Sequence, residues 1–207
     1  MKTDKLIHLL AEQSSAVKPL ASPLRRVVRA LSGAFFCVAI GVALLGLRAD
    51  LETAIWEFSF IAQAVATIAL ACLSAVAAFL MSVPGRSSSW VRSVPFVTVV
   101  VWLLVIVLGV FTSGESSRGF HFACMRDIIV LAVIPGAYLF FMLKRAAPLE
   151  LGRVGFFTAL AAAAFGALGA QFICHDHRLI HMLLWHYLPV IALGAIGAWL
   201  GRRLLRW

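Results

Sequence analysis

The chain has 207 residues, 62% apolar and only 13% charged, with a net charge of +9 and a mean hydropathy of +0.98. A soluble domain carries about 25% charged and about 45–50% apolar residues, so a water-soluble enzyme or binding domain is excluded. The basic balance is a question of where the charges lie, and their distribution argues against nucleic acid.

Runs without a charged residue occupy 30–47, 58–85, 93–114, 128–143, 154–175 and 179–201. A membrane-crossing helix needs about 20 apolar residues, within a range of about 17–25. Five runs meet this. The fourth has 16 residues and crosses only if its outer end sits at headgroup level. The expected fold is all-α: a polytopic bundle of six transmembrane helices preceded by a short cytoplasmic amphipathic helix. The expected division is a cytoplasmic arm over 1–27 and a transmembrane sensor unit over 28–207.

The arm opens "MKTDKLIHLLAEQSSAVKPL". Thr3 suits a helix N-cap and Asp4 suits the positive end of the helix dipole. Leu6, Ile7 and Leu10 form an apolar stripe with Leu9 beside it, and Lys18–Pro19 and Ser22–Pro23 end the helical pattern. About ten residues make a marginal helix in water, so such a segment either lies on the bilayer or folds into a partner's groove. Asp4 and Glu12 weaken the lipid alternative, which favours a protein partner.

The first apolar run is too long, and starts too far from the N-terminus, for a cleaved signal peptide; "LLGLRAD" after it has no small-residue cleavage site. Six spans bring both ends of the chain to one side. Fourteen of the 18 Lys and Arg residues then fall on that side, leaving Arg48, Arg118, Arg126 and Arg178 opposite. The positive-inside rule puts both termini in the cytoplasm, and the basic residues serve orientation and contact with anionic lipid.

Little chemistry is available within the spans. Glu57, Arg126 and Asp127 lie near outer ends and can snorkel to the interface. Without a mid-span carboxylate, a nucleophile–base pair or a phosphate loop, no enzyme is expected. Cys37 and Cys72 sit mid-span, where cysteine behaves as a small hydrophobe. Pro135 and Pro189 are expected to kink the fourth and sixth spans. The last two spans are rich in small residues, and Gly197 and Gly201 make a GxxxG step. That step suits packing within the chain, with homodimerisation as the alternative.

The outer loops are short, so anything sensed there must be small. Cys124 and Cys174 lie at the outer ends of the fourth and fifth spans. His121 is near the first thiol, and His177, His181 and His186 follow the second in "CHDHRLIHMLLWH". Two thiols and several imidazoles on one wet rim suit a soft or borderline ion such as Cu, Zn or Cd. The same thiols in an oxidising compartment suit a disulfide, and a polar loop without either role remains a third reading.

The opening "TDKLIHLLA", the later "KRAAP", the helix ending "GALGAQFICHDH" and the closing "WHYLPVIALGAIGAWLGRRLLRW" resemble the bacterial membrane anti-sigma factors typified by the negative regulator of sigma F (NrsF). The resemblance implies an inner-membrane protein that sequesters an extracytoplasmic-function sigma factor and releases it on heavy-metal or oxidative stress. By position it implies a sigma-binding arm containing Thr3, Asp4, Leu6, Ile7 and Leu10, and a periplasmic sensing pair, Cys124 and Cys174. The histidines rest on coordination chemistry alone. The competing classes are a membrane thiol oxidoreductase, which would need an exchanging dithiol such as C-x-x-C, and a small metal transporter or permease, which would need ligands through the midplane.

Overall fold

A computed structural model describes residues 3–13, 20–83, 85, 88–113, 122–176 and 178–206. Among these, all regular structure is helical. The elements are α1 (Thr3–Glu12), α2 (Pro23–Leu45), α3 (Leu51–Ala54), α4 (Phe58–Met81), α5 (Ser89–Ser113), α6 (Phe122–Lys144) and α7 (Leu151–Gln171). A last long helix follows, in three parts: α8 (Leu179–His181), a π-helical stretch (Met182–Tyr187) and α9 (Leu188–Leu204).

Six of these helices, 21 to 26 residues long, are long and apolar enough to cross a membrane. At 1.5 Å per residue that is about 31–39 Å, against a hydrocarbon core of about 30 Å. The perimeter is apolar too: Phe35, Phe36, Leu44, Phe58, Leu108 and Ile134 are exposed, a surface suited to lipid. The fourth span is longer than expected. α6 has 23 residues because it takes in Arg126 and Asp127, which pair with each other at 2.8 Å. Arg126 stays exposed while Asp127 turns inward and is buried, so Arg126, like the exposed Glu57, follows the snorkelling expectation and Asp127 does not.

α2 begins at Pro23, where a missing N–H costs a first-turn residue nothing. It therefore includes Arg25, Arg26 and Arg29 and starts earlier than the charge-free run, and the 27/28 boundary falls inside it. The Arg26 guanidinium donates to the Met142 carbonyl at 3.0 Å, capping the end of α6. Every described residue of α1 is exposed. Thr3 lies within the helix and so is not the cap that precedes it.

α7 is the centre of the bundle. Sixteen of its 21 residues are buried, packed by α9, α4, α6 and α2. Its alanines and glycines are the reason, since they let neighbouring backbones come close. A Cβ on Gly155 would run into the backbone of Gly197 and Gly201. The GxxxG step is thus buried against α7 within the chain, and these glycines are not available to a dimer. α5 lies at the side of the bundle against α4, α8 and the π-helical stretch.

Polar side chains are also held inside. Gln171 Nε2 donates to Thr67 Oγ1 at 3.1 Å, the Thr67 hydroxyl donates to the Gln63 carbonyl at 2.7 Å, and Tyr187 OH donates to Gln63 Oε1 at 3.3 Å. This chain of bonds ties α4 to the end of α7 and to the π-helical stretch.

Candidate metal and thiol centre

The antiparallel packing of α6 on α7 sets the site. A Cβ on Gly166 would lie 2.5 Å from the Ile128 carbonyl and 3.2 Å from Ala132, so the two helices nearly touch there. Cys124 is one turn outward from Ile128 on α6, and Cys174 is two turns outward from Gly166. α7 unwinds through Phe172 and Ile173, and the Cys174 N–H still donates to the Ala170 carbonyl at 2.8 Å. The two sulfurs meet at 3.3 Å.

The histidines come from the last helix. In an α-helix, residues five apart point about 140° away from each other, at about 100° per residue. His181 and His186 are five apart, yet their rings are 5.5 Å apart. The reason is the π-helical stretch, whose i→i+5 bonding brings such residues to one face. Pro189 accounts for its location: it has no N–H, and its ring would press on the Trp185 carbonyl in a regular helix. The proline expected to kink the sixth span thus sits in the first turn of α9, just past this widened segment.

Cys124, Cys174, His181 and His186 each present one donor atom, all within 4.8 Å of one another. His181 Nε2 is 3.3 Å from the Cys174 sulfur, and its Nδ1 is 3.6 Å from Asp176 Oδ2. Asp176 is itself fixed by Arg178, whose Nε donates to Oδ1 at 3.0 Å, and this guanidinium holds the carboxyl down at about 2. The Cys124 sulfur, with His181 alongside, lowers the Cys174 thiol below an ordinary cysteine although burial opposes the shift.

The donor set fits a soft or borderline ion. A tetrahedral site with Zn–S of about 2.3 Å and Zn–N of about 2.0–2.1 Å separates its ligand atoms by about 3.3–3.8 Å, so small adjustments suffice. His186 is fully buried and neither of its ring nitrogens has a hydrogen-bond partner. Such an orphan costs about 1–3 kcal/mol, which a coordinated ion would offset. A carboxylate behind a ligating histidine, as Asp176 stands behind His181, is the usual support for such a ligand.

Of the residues singled out in the sequence, these four converge. His121 and His177 lie outside the described residues. Cys37 and Cys72 join no such group among the described residues. Asp176 joins the site through His181 and Arg178, contacts that its sequence position alone does not show.

Fold and site together define a helical protein with six helices long and apolar enough to cross a membrane and a thiol–imidazole cluster at one end of its bundle. The chain belongs to the NrsF family, the negative regulators of sigma F, whose family model matches residues 10–207. It is similar to the anti-sigma-F factor NrsF of Caulobacter vibrioides (strain NA1000 / CB15N), at 30% identity over 219 aligned residues covering 100% of both chains. It is also similar to the probable anti-sigma-F factor NrsF of Azospira oryzae (strain ATCC BAA-33 / DSM 13638 / PS), at 26% over 213 residues and again 100% of both. No solved structure matches it.

Proposed function

We propose that this anti-sigma factor sits in the inner membrane with both termini in the cytoplasm, and holds an extracytoplasmic-function sigma factor through its arm. Thr3, Asp4, Leu6, Ile7 and Leu10 form the holding surface. A periplasmic soft metal ion, or oxidation of the thiol pair, releases the sigma factor. The observation that carries the reading is the convergence of Cys124, Cys174, His181 and His186 within 4.8 Å. Fourteen of 18 Lys and Arg residues on the opposite side support the orientation, and the exposed stripe of α1 supports the arm.

The same geometry supplies a mechanism. Drawing four donors onto one ion opens the sulfurs slightly and pulls the His181–His186 segment toward α6 and α7. That segment continues into α9, which packs along α7 to the cytoplasmic end, where the Arg202 side chain lies against Gly152. A shift at the outer rim thus has a rigid path to the inner face. The 3.3 Å sulfur contact equally favours disulfide formation, which would pull α6 and the α7 terminus together and leave the histidines without a role.

The test is a reporter driven by the partner sigma factor, read with and without Cd(II) or Cu(I) and with a thiol oxidant. The wild type should induce, and a Cys124→Ala, Cys174→Ala double variant should insert normally yet stay silent. Normal induction in that variant would overturn the reading. Capture of a sigma factor from solubilised membranes tests the partner directly.

A further inference from the structure

We propose that the cleft between α4 and α5 is a binding site for a lipid-soluble quinone. A cavity of about 680 Å³ lies between these helices, lined by Gln63, Ala66, Thr98, Val101 and Trp102 among others. That is the size of a small-molecule site. Its rim includes exposed Phe58, Val97 and Val101, so it opens sideways toward lipid and can admit a ligand with an apolar tail.

Gln63 selects the occupant. The residue is only 7% exposed, and its Oε1 accepts from Tyr187 OH, but its Nε2 is buried with no hydrogen-bond partner. A buried amide donor needs an acceptor. Gln63 lies five residues inside the outer end of α4, about 7.5 Å along the helix, below the level of phospholipid headgroups. An acyl chain at that depth offers only methylenes. A quinone brings carbonyl acceptors on a flat ring together with a tail that can leave through the lateral opening. Trp102 supplies an aromatic wall and also stands edge-on to the Tyr187 ring. The site therefore adjoins the thiol–imidazole rim through Trp102, Tyr187 and His186, and it does not depend on the sensing role of that rim.

The experiment titrates the full chain, in nanodiscs free of quinone, with decylubiquinone and follows tryptophan emission. Saturable one-to-one quenching is expected. Gln63→Leu, which removes the donor at similar volume, should bind about tenfold more weakly. Ala66→Phe, which fills the cleft, should lose saturable quenching while its thermal unfolding midpoint stays near that of the wild type. Absence of saturable quenching in the wild type would overturn the proposal. So would equal competition by dodecane, which would make the cleft an acyl-chain groove. Unchanged affinity in Gln63→Leu would do the same. If Gln63→Leu fails to fold, Ala66→Phe decides alone, and unchanged quenching by that variant overturns it.

Discussion

Cys174 and Cys124 differ although both are cysteines at helix ends. Cys174 lies against both the Cys124 sulfur and the His181 ring, contacts that favour its thiolate, and a depressed thiol stays ionised below the ordinary value of about 8.5. Iodoacetamide should therefore alkylate Cys174 at neutral pH faster than Cys124, with the advantage disappearing as pH rises through the ordinary thiol range. In Cys124→Ala the strongest support is gone, and the Cys174 profile should move back up. Mass-spectrometric labelling rates against pH check both points. The histidines separate the two signals. His186→Ala should weaken induction by Cd(II) or Cu(I), while induction by an oxidant persists, since imidazole ligates but takes no part in a disulfide. Asp176→Asn should lower metal affinity by about 10–100-fold, read by competition with a chelating dye.

The helical elements carry predictions of their own. No residue of α1 is buried, so deleting residues 1–13 should leave the bundle folded and abolish binding to the sigma factor; Leu10→Glu should do so with less disturbance. Unchanged binding by the truncated protein in detergent would remove the arm from the mechanism. Gly155 lies where α7 meets the Gly197–Gly201 step. Gly155→Val forces those backbones apart and should destabilise the bundle by about 1–3 kcal/mol, seen as a lower unfolding midpoint. Much of this level was legible beforehand. The charge-free runs located all six long apolar helices, and small residues marked the packed face of the last helix. The end of α6 was not legible, because an Arg126–Asp127 pair that neutralises itself looks in sequence like a break. The π-helical stretch was not legible either, since spacing five matches neither helix period.

For the molecule as a whole, the proposed orientation has a direct check. A membrane-impermeant maleimide on intact spheroplasts should label the outer thiols when they are reduced and leave Cys37 and Cys72 unmodified. Labelling of the outer pair only after lysis would reverse the topology and with it the sensor. Hydropathy and length by themselves determined that this is a helical protein with six segments long and apolar enough to cross a membrane. These are properties of each segment against its solvent, and a segment's solvation needs no knowledge of its neighbours. Which residues meet was decided only in three dimensions. Cys124 and Cys174 are brought together by the close approach of α6 and α7 at Gly166, and His181 and His186 by a local change of helix type beside Pro189. Gln63 acquires its meaning from Tyr187, far along the chain. Those pairings depend on packing register, which one-dimensional periodicity does not encode.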